Sequence, residues 1–106
     1  MNDGATWRSR RDRARREIAE AVTCRTGAAR EDFLAIFWDN PSPPTIGEFE
    51  SAFLPDEATR GEILRAVAAA TGLDQTAVER CYRREERFPV FAERLLRAGA
   101  YAKGDG

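Results

Sequence analysis

Histidine is missing from the 106-residue chain, and cysteine occurs only as Cys24 and Cys81, far apart and outside any CxxC spacing. The first absence removes the usual base for nucleophilic catalysis. The two together speak against a zinc centre, which needs about four Cys or His ligands. Serine is sparse too. Ser9, Ser42 and Ser51 fall in a basic arm, a proline-rich break and a short helix. No GxxxxGK[ST] stretch is present to cradle a nucleotide phosphate. Catalysis, a cofactor, a metal and a small-molecule substrate are therefore not expected. No apolar run approaches the roughly 18 residues of a membrane-spanning helix. The opening "MNDGATWRSRRDRARRE" lacks the apolar core of a signal peptide. Reduced thiols and no membrane partner fit a cytoplasmic protein. No convincing period-two alternation exists either, so strands are not expected.

What is present is helical patterning and an uneven charge. The net charge is −1, so no overall field draws the chain to DNA or to an anionic membrane. Residues 1–30 nevertheless carry eight Arg against four acids, and residues 31–62 carry eight acids against one Arg. Residues 63–106 return to eight basic residues against six acids. A basic arm, an acidic middle and a mildly basic end can guide intramolecular docking or a partner. Such runs are also what solvated helix faces look like.

Six short helices follow from the spacing of apolar residues. The first spans about Ala5 to Thr26, with Trp7, Ala14, Ile18, Ala21 and Val22 on one side and Gly27 as its stop. The second runs from about Ala29 to Trp38. Its "FLAIFW" is apolar on more than one face and belongs in the core or against a partner. Prolines 41, 43 and 44 break the chain. A capping box of Thr45 and Glu48 then opens a third helix with Ile46, Phe49 and Phe53 in a stripe. "TRGE" at 59–62 reads as a second capping box, opening a helix that buries Ile63, Leu64, Val67 and Ala70 and stops at Gly72. Asp74 caps a fifth helix in which Val78, Cys81 and Tyr82 share a face. Pro89 takes the first position of a sixth, which buries Phe91, Leu95 and Ala98. Residues 1–6 and 103–106 are expected to fray. The fold class is thus an all-α, compact single domain over 1–106.

The helices repeat. Adding 45 to each number sets Arg15, Glu17, Ile18, Ala21, Val22, Thr26 and Gly27 on Arg60, Glu62, Ile63, Ala66, Val67, Thr71 and Gly72. Phe33 falls on Val78, Ile36 on Cys81, Phe37 on Tyr82 and Pro44 on Pro89, without a gap. Two tandem units of about 45 residues, 15–59 and 60–104, account for this, each burying its apolar stripe on the other. Convergence of two Ala- and Arg-rich helices that stop at glycine accounts for it as well.

Residues 64–83, "LRAVAAATGLDQTAVERCYR", place a small residue (Ala68), a glycine (Gly72) and an apolar residue (Val78) at intervals of four and six. The stretch resembles the helix-turn-helix of bacterial and phage transcriptional regulators. The pattern is moderately specific, since any tight helix corner satisfies it. The resemblance implies that the helix after Asp74 enters the major groove with Gln75, Thr76, Glu79, Arg80 and Arg83 foremost. Arg84 and Arg87 would touch phosphates, and the arm with Arg8, Arg10, Arg11, Arg13, Arg15 and Arg16 would follow the backbone. Asp74, Glu79, Glu85 and Glu86 dilute that charge.

A second function class fits the acidic middle. Here Phe33, Phe37 and Trp38 form a protein interface, flanked by Asp32, Asp39, Glu48, Glu50, Asp56 and Glu57, and the partner is a basic protein or a second copy. The two expectations are a DNA-binding regulator and a protein–protein adaptor or inhibitor; neither is an enzyme.

Overall fold

The computed structural model describes residues 3–54 and 56–101, with side chains from Trp7 onward. The expected fraying at 103–106 lies outside the described residues. Six helices follow one another: α1 (Asp3–Thr26), α2 (Arg30–Phe37), α3 (Ile46–Phe53), α4 (Glu57–Thr71), α5 (Gln75–Cys81) and α6 (Phe88–Arg97). No strand occurs among the described residues. The radius of gyration is 13.2 Å, close to the roughly 13 Å of a compact chain of this length.

The two glycine corners have the same construction. Gly27 and Gly72 lie in the left-handed region at φ +79° and +80°, where a side-chain-bearing residue is strained. Each amide donates back into its helix, Gly27 to the Thr23 carbonyl at 3.2 Å and Gly72 to the Ala68 carbonyl at 3.1 Å. Beside each glycine a threonine hydroxyl folds inward. Thr26 Oγ1 donates to the Val22 carbonyl and Thr71 Oγ1 to the Val67 carbonyl. The same hydroxyls accept from the Ala28 and Leu73 amides. Every one of these residues meets its partner on adding 45 to its number. Three of the five pairs, Val22/Val67, Thr26/Thr71 and Gly27/Gly72, are identical letters, and α2 and α5 begin at equivalent positions, Arg30 and Gln75.

Packing follows from the stripes. α1 lies against α4, α6 and α2, while α5 lies against α4 and α6. Ile18 and Val22 of α1 and their equivalents Ile63 and Val67 of α4 are buried with Leu95 and Leu96 of α6. A second part of the core is aromatic. Phe88 of α6 meets Phe33 at 5.0 Å and Phe49 at 5.4 Å between ring centroids, both edge-on. Phe37 meets Phe49 at 5.0 Å in the same manner. Such pairs add about 0.5–1.5 kcal/mol each beyond their burial.

Five details differ from the sequence expectation. Ala70, expected inward on α4, is only half-buried, and Ala68 is buried instead. α1 begins at Asp3, so residues 3–6, expected to fray, have helical backbone. α4 opens at Asp56 and not at Thr59. The Asp56 carboxylate accepts from both the amide and the hydroxyl of Thr59, at 2.8 Å each, so the threonine sits inside the first turn. Pro89 occupies the second helical position after the Arg87 cap and Phe88. Ala98 is exposed, because α6 ends at Arg97 and the chain turns through Gly99 to bury Ala100 and Tyr101 instead. The Thr45–Glu48 capping box and the Asp74 cap form as expected.

Candidate interaction surfaces

Four of the arm's six arginines, Arg10, Arg11, Arg13 and Arg15, have partners within the chain. Arg10 lies at the C-terminal end of α6, where carbonyls lack helical partners. Its guanidinium donates to the Ala100 carbonyl from Nε at 3.1 Å and from Nη2 at 2.9 Å, and to the Leu96 carbonyl at 3.0 Å. Arg13 stacks over the Tyr101 ring at 4.6 Å and reaches Glu17. Arg11 pairs with Glu93 of α6 at 3.3 Å, and Arg15 pairs with Asp39 at 2.6 Å. Arg8 and Arg16 are exposed and make no ion pair among the described residues. The arm is thereby fastened along α6. Tyr101 under it is pushed up to about 12, mainly by burial and secondly by the Glu17 carboxylate.

On the second corner, Ala68 and Val78 are buried at the α4–α5 contact and Leu73 packs against the core. The spacing read from the sequence is therefore the spacing of a real helix corner. α5 is short, seven residues. Thr76, Arg80 and Arg83 are exposed on or just after it. Gln75 is half-buried and donates to Glu79. Arg84 donates to Glu50 at 2.7 Å, and Arg87 donates to the Pro43 carbonyl at 2.8 Å. Of the ten residues assigned to DNA, only Thr76, Arg80, Arg83 and Arg8 present side chains without a partner among the described residues.

Glu50 is the one buried carboxylate among the described residues, 7% exposed. It accepts from the Tyr82 hydroxyl as well as from Arg84. Burial, and then the Glu50 carboxylate, push the Tyr82 phenol far above its ordinary value, and the same carboxylate raises Arg84. The sequence sets Glu50 among the acids expected to flank a protein interface or to lie on a solvated face. Its one visible signal is its place four residues after Ile46, on the buried side of α3. The same region carries the backbone that holds α3. The Ile46 amide donates to the Glu86 carbonyl at 2.7 Å, and the Gly47 amide donates to the Arg84 carbonyl at 2.9 Å. A Cβ on Gly47 would lie 3.3 Å from that carbonyl oxygen, so glycine permits the approach. α3 is thus tethered to the second unit's linker. An open cleft of about 460 Å³ lies beside it, lined by Glu50, Asp56, Glu57, Arg60 and Arg84.

The first corner has a different face. Phe33 and Phe37, expected at a protein interface, are buried in the aromatic core, because both point at α3 and Phe88. Trp38 is half-buried. The exposed apolar side chains here are Ile36, 46% exposed, and Phe53, 39% exposed. They flank a groove of about 290 Å³ whose other walls are Phe33, Phe37 and Phe49, with Asp32 at its edge. An adjoining depression shares Phe53 and carries Arg25. Residues 33, 36 and 37 lie on one helical stripe, so spacing alone does not separate Ile36 from Phe33 and Phe37; what packs on each decides it.

Cys24 is exposed and Cys81 buried. A hydrogen bond to Glu20 raises the Cys24 thiol above its usual value, away from reactive thiolate. Among the described residues no three His, Cys, Asp or Glu side chains gather as a metal site, and no helix is long and apolar enough to cross a membrane. Compared with known proteins, the chain matches no family profile, no curated protein and no solved structure.

Proposed function

We propose that the chain is a protein-binding module whose recognition surface is the groove between α2 and α3. The observation that carries this reading is the pairing of Ile36 and Phe53 in solvent around an apolar depression. Large apolar side chains gathered at a concave surface mark places where another protein docks. At about 290 Å³ the groove falls just below the roughly 300–1,000 Å³ of small-molecule pockets, a size suited to inserted side chains. The test is capture from a lysate of the source cell with the tagged wild-type chain and with Ile36→Asp/Phe53→Ser. Circular dichroism establishes that the variant is folded, and Ile36→Asp alone serves as the second variant because Phe53 also stacks on Phe49. A partner held by the wild type alone, and crosslinked to α2 or α3, supports the reading. Equal capture by both proteins removes it.

One observation favours DNA as a second reading. The α4–α5 corner presents Thr76 and Arg80 outward from a helix that follows a left-handed glycine, with Arg83 exposed just beyond its end. Binding through this face would weaken with salt, each lost phosphate contact lowering the slope by about one. Duplex DNA titrated with the wild type and with Arg80→Ala/Arg83→Ala should show at least about a tenfold loss. Unchanged affinity sets this reading aside.

A further inference from the structure

The groove exists because the two units close differently. In the second unit α5 packs on α6, and the Tyr82 ring meets Phe91 at 5.3 Å. Cys81 is covered there. In the first unit the equivalent of Cys81 is Ile36, and it stands in solvent. α3 is held by the carbonyls of Arg84 and Glu86 in the other unit, and phenylalanine rings bridge it to α2. The surface that the second unit buries internally is left open in the first.

We infer, resting on the protein-binding reading above, that a second copy of this chain fills this groove, each Ile36 entering the depression of the other. Twofold association requires one patch to carry both halves of every contact. This patch does. Ile36, half-exposed, lines the recess together with Phe33, Phe37, Phe49 and Phe53. Side chains of opposite sign also lie about it, Asp32 on the groove and Arg25 on the depression that shares Phe53. Neither makes an ion pair within its own chain among the described residues, although Arg25 donates to the Ala21 carbonyl. Under twofold symmetry Asp32 of each copy faces Arg25 of the other, twice. A partner of uniform charge meets attraction at one margin and repulsion at the other; an identical copy meets attraction at both.

Sedimentation equilibrium of the full chain, from micromolar to millimolar concentration, tests this. The wild type should form a reversible dimer. Ile36→Glu should weaken it at least about tenfold, as the loss of a central apolar anchor does. Asp32→Arg and Arg25→Asp should each weaken it several-fold, and the doubly reversed chain should recover. A wild type that stays monomeric throughout overturns the inference. So does a dimer indifferent to Ile36→Glu, or one that the double reversal fails to restore. A monomeric chain that still captures a groove-dependent partner from lysate sinks the self-association alone. A monomeric chain with groove-independent capture sinks the protein-binding reading as well.

Discussion

The α1–α2 and α4–α5 corners share a backbone and differ in what they show to solvent. Both turn at a left-handed glycine, and both fold a threonine hydroxyl into the last turn. After that the halves part. α5 carries polar and charged residues outward and hides Cys81 against α6, whereas α2 leaves Ile36 uncovered beside a groove. The linkers explain much of this. Eight residues with three prolines, 38–45, join α2 to α3, and six residues, 82–87, join α5 to α6. The longer linker lets α3 reach across to the Arg84 and Glu86 carbonyls. A turn repeated within one chain can therefore serve two surfaces of different chemistry when the third helix of each unit docks differently.

The largest test of this inequality lies in the core. Phe33→Ala should destabilise by about 3–5 kcal/mol, since Phe33 joins α2, α3 and Phe88 through its ring. The equivalent Val78→Ala removes two carbons and should cost about half as much. Urea unfolding of both variants decides the matter, and equal losses would mean the halves are more alike than their rings suggest. Next come the corners themselves. A Cβ at Gly27 or Gly72 meets no atom within 4 Å, so alanine at either costs only backbone strain, about 1–2 kcal/mol. The two losses should agree; a clear inequality breaks the structural equivalence.

The caps supply a smaller contrast. Asp74 accepts from the Ala77 amide at 2.8 Å, while its equivalent Ala29 offers α2 no side-chain cap. Asp74→Ala should cost about 0.5–2 kcal/mol, and Ala29→Asp should recover part of that amount for α2. Thermal denaturation of the two variants sharpens the comparison. The smallest effect is in acid. Thr59 donates twice to Asp56 and holds its carboxyl below the ordinary value. A carboxyl lowered on folding contributes stability above its unfolded value, about 3.9, and loses it as pH falls through the folded one. Asp56→Asn should therefore flatten the acid limb of the unfolding curve, and a limb unchanged by the substitution removes Asp56 from it.

Much of the architecture is written in short-range chemistry. Helix stops at Gly27 and Gly72, caps at Thr45 and Asp74, and the inward stripes of α1 and α4 depend on residues within one or two turns, so spacing alone reveals them. The opening of α4 was misplaced because Thr59 and Asp56 are both good caps, and local letters cannot rank them. The surfaces were harder to read. Arg10, Arg11, Arg84 and Arg87 look like free cations in the chain, yet each meets an oxygen of a residue more than 30 positions away.

By itself, then, the sequence determined that the chain is helical, where its helices stop, and that its halves echo one another, because those outcomes rest on neighbouring residues and their periodicity. Only the tertiary structure decided that α3 is tethered to the other unit's linker, that Glu50 is buried under Tyr82 and Arg84, and that Ile36 and not Phe33 faces water. The reason is that exposure is settled by what packs on top of a side chain, and here the covering helix is placed by carbonyls some 40 residues downstream.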